Sequence, residues 1–210
     1  MTSVTDEPLR ADAERNRARI VDAAATAFAE RGLDVPMTEI ARRAGVGIAT
    51  LYRRFASTDD LVAEVFASKM AAYADAAEAG LVADDAWAGF SAYVRASFAM
   101  QAQDAGFADI LALAPRPEFE EQRSRAFKAF TALVRRAQAS GQLRADFVHQ
   151  DLVMLLMANA GVVRATHGNE RAWRRFAEMA LQSLRAPASG PLPPAPSGSD
   201  MFAALQAQIE

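Results

Sequence analysis

The stretch from Thr38 to Phe55, TEIARRAGVGIATLYRRF, constrains this chain more than any other. It reads as a short helix, a tight turn and a second short helix. In the first, Ile40, Ala41 and Ala44 fall at helical spacing, and Gly45 supplies the positive φ that a sharp helix exit needs. In the second, Leu51 and Phe55 stand four apart and can be buried together, which turns Ala49, Thr50, Arg53 and Arg54 toward another face. Small, hydroxyl and guanidinium groups then face outward, the surface a helix-turn-helix needs to enter a major groove. On spacing alone, a buried helical hairpin fits the same pattern.

Charge bears on that choice. The chain of 210 residues carries a net charge of -3, which argues against indiscriminate coating of nucleic acid. Between Arg10 and Arg54, however, nine arginines (10, 15, 17, 19, 31, 42, 43, 53, 54) face six acids (12, 14, 22, 30, 34, 39). A confined basic patch on an acidic chain suits selective docking on DNA. Hydrophobic residues make up 51% of the sequence, enough for a real core, yet no apolar run is long enough to span a membrane. The first twenty residues put acids before arginines and contain no apolar core, so no secretory signal is expected. The absence of cysteine excludes a disulfide framework and a thiol nucleophile. A cytoplasmic protein is expected.

The periodicity predicts an all-α chain. Residues 1–12 read as a disordered arm, 13–56 as the helix-turn-helix domain and 57–185 as a second helical domain entered by a linking helix over 57–79. Residues 186–210 read as a disordered Pro/Gly/Ser tail. Ile20, Ala24 and Phe28 give the first helix its apolar side, from about Ala13 to Arg31. Ser57 with Asp60 forms a capping box for the fourth helix. Further helices are placed at about 86–103, 107–113, 119–139, 149–166 and 170–185, divided by turn signals at Gly106, Pro115, Gly141 and Gly168.

The run IARRAGVGIATLYRRF, followed by ASTDDLVAEVF, resembles the DNA-binding signature of TetR-family (tetracycline-repressor-like) bacterial transcription regulators over the first third of the chain. The resemblance implies an N-terminal three-helix DNA-binding domain and a C-terminal helical domain for effector binding and dimerisation. Its base-reading positions fall on Ile48, Ala49 and Thr50, with Arg53 one turn later, and Tyr52 and Arg54 match phosphate-gripping positions. Arg15, Arg17 and Arg19 match the arm and first-helix residues that reach the backbone; a solvated helix end explains these three equally well. An arginine suits guanine O6 and N7, and the Thr50 methyl suits a thymine methyl. Three positions depart from the pattern. Gly47 replaces a serine cap, Pro36 displaces a threonine whose role Thr38 takes, and Thr58 fills a slot for a phosphate-binding cation.

Two sides of the helix beginning near His149 suggest two tasks. Met154, Met157, Ala158, Gly161 and Ala165 form a side of small residues and methionines, assigned to a homodimer seam. In the family's manner, Trp173, Phe176, Ala180 and Leu184 of the last helix would complete it. Leu155 and Asn159 turn the other way. With Trp87, Phe90, Val94, Ser97 and Gln101 of one helix and Arg123, Phe127 and Phe130 of another, they are assigned to an effector pocket. Gln101, Arg123 and Asn159 would select a carboxylate or another acceptor. Both sides can also be read as solid core, with Arg123 paired to Glu120 or Asp109 or extended to water.

His149 and His167 are too far apart to form an i, i+4 metal pair, and no nucleophile elbow or phosphate loop is present, so neither an enzyme nor a resident cofactor is expected. The expected function is sequence-specific DNA binding at a pseudo-palindromic operator by a homodimeric repressor released by a small-molecule effector. The alternative is a module with the same fold that binds a small molecule or a partner protein and uses DNA weakly.

Overall fold

The computed structural model describes residues 6–31, 33–103, 120–188 and 190–206. The helix expected over 107–113 lies outside them. Among the described residues the chain is helical. The exception to helix and loop is one antiparallel bridge, Leu143 with Arg185. It divides into two compact units, Met1–Ser68 and Lys69–Glu210.

The first unit holds α1 (Asp6–Arg31), α2 (Met37–Ala44), α3 (Ile48–Arg54) and the start of α4 (Thr58–Leu81). Apolar residues at helical spacing bring them together: Ile20 and Phe28 of α1, Ile40 of α2, Leu51 of α3, and Leu61 and Phe66 of α4 are fully buried. Gly45 ends α2 at φ 64, with its N–H bonded back to Arg42 O. Ser57 and Asp60 exchange hydrogen bonds at 3.0 and 3.1 Å, the capping box read from the sequence. The sequence misplaces the start of α1. Helix begins at Asp6 instead of about Ala13, so residues 6–12 are not a disordered arm. Pro8 falls in the first turn, where a missing N–H costs nothing.

The second unit contains the rest of α4, then α5 (Ala86–Gln103), α6 (Glu120–Ala139), α7 (His149–Ala165), α8 (Glu170–Leu184) and α9 (Gly198–Gln206). α5 is its axis, packed on α6, α7 and α8, and α9 packs on α7. The end of α4 meets α5 at two glycines. A Cβ on Gly80 would stand 2.8 Å from Gly89 O, and one on Gly89 would collide with Gly80 O. Arg136 of α6 closes the same corner by donating to Gly80 O at 3.1 Å and Ala83 O at 2.5 Å, a cation on the negative end of α4.

The tail corrects the sequence reading again, because 186–210 is not wholly disordered. The Arg144 guanidinium pairs with Asp146 at 2.5 and 3.0 Å and also donates to Gly190 O at 2.9 Å, while Leu192 N–H donates to Asp146 at 2.8 Å. The Arg144 bond holds the Asp146 carboxyl well below the usual carboxylate range, and the Leu192 N–H adds to it. Ser197 and Asp200 then cap α9, whose Met201 is buried. Composition hides this strap because its attachment points are main-chain atoms.

Candidate functional site

In the first unit, burying Leu51 and Phe55 turns the rest of α3 outward. Tyr52 is 50% exposed and Ile48 38%, and Gly47, Ala49, Arg53 and Arg54 share the open surface with Thr38 at the start of α2. Thr50 and Thr58 are half-buried. Arg53 is steadied by its Nη2 donating to Thr50 Oγ1 at 3.1 Å, so the α3 guanidinium reaches out from a fixed base. Gly47 starts α3 in extended geometry with no side-chain cap, a loss of a few tenths of a kcal/mol relative to serine.

Five arginines ahead of α3 are tied into the protein. Arg17 Nη1 donates to Glu64 at 2.5 Å, and its guanidinium lies 5.6 Å from the centre of the Phe55 ring. Arg19 Nη2 donates to Ala44 O at 2.7 Å and Gly45 O at 3.3 Å, capping α2 where its carbonyls run out. Arg15 pairs with Asp12. Arg42 and Arg43 both grip Glu39 at 2.8 Å, and Arg43 reaches Glu30 at 2.7 Å. The bond from Arg42, then that from Arg43, brings the Glu39 pKa down to about 2. Arg17 and Arg19 are therefore spent within the unit, beside Phe55 and at the end of α2. Besides a 3.4 Å bond from Arg19 to Asn16 Oδ1, their partners lie 25 to 47 residues away, beyond the reach of any local pattern.

The second unit does not gather the expected pocket residues in one place. Trp87 and Gln101 lie fourteen positions apart on α5, about 21 Å at 1.5 Å per residue. Trp87 and Phe90 join Phe147 and Phe130 at one end of the core, with Arg185 over the Trp87 ring at 5.2 Å. Phe127 is 51% exposed and packs edge-on to His149, so it lines no interior site. Leu155 is half-buried. Arg123, also half-buried, already has an interaction of its own. Val94, Ser97, Gln101 and Asn159 are buried, and Asn159 Nδ2 donates to Gln101 Oε1 at 2.9 Å and Phe98 O at 3.3 Å.

The expected dimer seam is also split. Met154, Ala158 and Ala165 are exposed on α7, with Met157 and Gly161 half-buried beside them. Trp173, Ala180 and Leu184, however, are 7%, 6% and 5% exposed within the chain, so they form its core and are not presented to a partner. Phe176 stacks on Phe98 at 5.8 Å. The stronger apolar side of α8 was the inner one; its outer side carries Met179, 60% exposed. His167 falls beyond α7, and no cluster of metal-ligating side chains exists among the described residues.

The family model described as bacterial regulatory proteins of the tetR family matches residues 20–65, and that of the SbtR-like transcriptional regulator C-terminal domain matches 83–186. An HTH-type transcriptional regulator of Staphylococcus aureus (strain USA300) is 43% identical over 54 residues, which are 25% of this chain and 29% of the regulator's length. The FadR structure from Bacillus subtilis, in complex with stearoyl-CoA, is 20% identical, with a TM-score of 0.58 over 80% of this chain and 97% of that one. A TetR transcription regulatory protein from Mycobacterium vanbaalenii is 32% identical, with a TM-score of 0.58 over 85% of this chain and all of that one. With the exposed stripe on α3, the left-handed turn at Gly45 and both family models in agreement, this chain belongs to the TetR family of transcriptional regulators.

Proposed function

We propose that the chain is a cytoplasmic, homodimeric repressor that binds a pseudo-palindromic operator in a sequence-specific manner and is released by a small-molecule effector. The observation that carries DNA reading is the surface of α3, where Tyr52, Arg53 and Arg54 stand clear of a helix anchored by Leu51 and Phe55. Arg53 serves as the base-reading residue and Tyr52 with Arg54 as backbone anchors. Two copies are needed so that two such helices meet successive major grooves, and the exposed methionine and alanines of α7 offer a surface for that pairing. The stearoyl-CoA in the Bacillus subtilis relative supports a small-molecule effector here. An effector releases the operator only to the extent that it binds the DNA-incompetent state more tightly.

A gel-shift titration against the DNA upstream of the chain's own coding sequence tests this. Selective, salt-sensitive binding that falls at least about fivefold in Arg53→Ala and in Tyr52→Ala is expected, since each lost contact is worth roughly 1–3 kcal/mol. One observation favours the second reading, a module that uses DNA weakly. Arg15, Arg17, Arg42 and Arg43 are neutralised within the chain. Indifference of the shift to both substitutions would select that reading.

A further inference from the structure

Asn159 is fully buried on α7, facing α5. Its amide orientation is not ambiguous. The Phe98 carbonyl can only accept, so Nδ2 must face it, and the second amide hydrogen goes to Gln101 Oε1. Oδ1 is then left with no donor among the described residues. A buried acceptor without a donor costs about 1–3 kcal/mol, and an apolar side chain of similar size would avoid that cost. The two groups that bond it, the Phe98 carbonyl and the Gln101 amide, carry no charge. Gln101 and Ser97 lie one helical turn apart on α5, Phe98 stacks on Phe176, and Tyr73 donates to Ser97 O at 3.4 Å. Burial pushes the neighbouring Tyr93 hydroxyl up to about 12, so it too is neutral near physiological pH.

We infer that Asn159 is the recognition residue for an uncharged ligand whose hydroxyl or N–H donates to Oδ1 and whose body is apolar or aromatic. The proposal rests on the effector-responsive reading and names the chemistry of its ligand. A carboxylate or phosphate would set oxygen against oxygen at Oδ1 and bury a charge beside two neutral amide groups. A thioester offers only acceptors and leaves Oδ1 unsatisfied. This reverses the preference drawn from Arg123 in the sequence, because Arg123 already has an interaction of its own and the group left without a partner is an acceptor.

The test uses the full chain, without DNA, and three probes of one shape: 1-naphthol, 1-methoxynaphthalene and 1-naphthoate near neutral pH. Thermal shift and calorimetry are expected to show naphthol binding at least about tenfold more tightly than the ether, the worth of one hydrogen bond, with no binding by naphthoate. Asn159→Leu should bring naphthol and ether to equal affinity; if that variant does not fold, the wild-type series decides alone. Equal affinity of wild type for naphthol and ether, tighter binding of naphthoate, or no binding of any probe would overturn the proposal. A separate gel shift divides it from the regulator reading. Naphthol binding that leaves the operator complex intact would support the ligand chemistry and count against effector release.

Discussion

Removing Arg54 and removing Arg19 should both weaken DNA binding, by routes that a salt titration separates. Arg54 is exposed on α3, so Arg54→Ala should lower the slope of log K against log salt by about 0.9, one phosphate contact. Arg19 spends its guanidinium on the Ala44 and Gly45 carbonyls, so Arg19→Ala should weaken binding at every salt concentration and leave the slope unchanged. A slope change in Arg19→Ala would return it to the phosphate role its sequence position suggests. Glu39 gives a pH prediction of definite sign. Its pKa is lowered from 4.5 to about 2 in the fold, so its contribution is fully present above about 4.5 and is lost as pH falls through about 2. Glu39→Gln should therefore flatten the melting-temperature profile in that window and leave its shape near neutrality alone. At this scale the outward face of α3 was legible, because burying Leu51 and Phe55 dictates what points away. The inner tasks of Arg17 and Arg19 were not, because a cation on a helix looks the same in sequence whether it meets water, phosphate or a carbonyl.

Helices were legible wherever one apolar side dominated and a capping residue marked the end. Asn169, whose Oδ1 accepts from Arg171 N–H at 3.0 Å and Ala172 N–H at 3.3 Å, opens α8 as it should. Which apolar side faces the chain's own core and which a partner is a different matter. Trp173, Ala180 and Leu184 were read outward and lie inward, because periodicity fixes a face without saying what covers it. The crossing of α4 and α5 was invisible for a similar reason. The sequence ends the linking helix at 79, whereas Gly80 lies within α4 and its backbone lies against that of Gly89. Gly89→Ala should cost about 1–3 kcal/mol in a denaturant melt, with the m-value unchanged, since a Cβ there must push two helices apart. A neutral result would mean that the crossing relaxes freely.

Across the whole molecule, the family models cover 20–65 and 83–186, and the strap begins where the second ends. Its sequence, PASGPLPPAPSGSD from Pro187 onward, looks like a linker, and composition gave no reason to expect order. The order comes from outside it, from Arg144 and Asp146, which hold Gly190 O and Leu192 N–H. Asp146→Asn should keep the fold of both units and lower the protection of the Leu192 amide in hydrogen exchange; unchanged protection would show that the pair does not hold the strap. Side chains of the strap matter little to these bonds, whereas its length between Leu184 and α9 matters a great deal. In evolutionary terms such a segment can drift freely in composition while staying fixed in length. A mutational scan over 187–197 should tolerate most single replacements and reject single-residue insertions and deletions, the reverse of what a flexible linker allows.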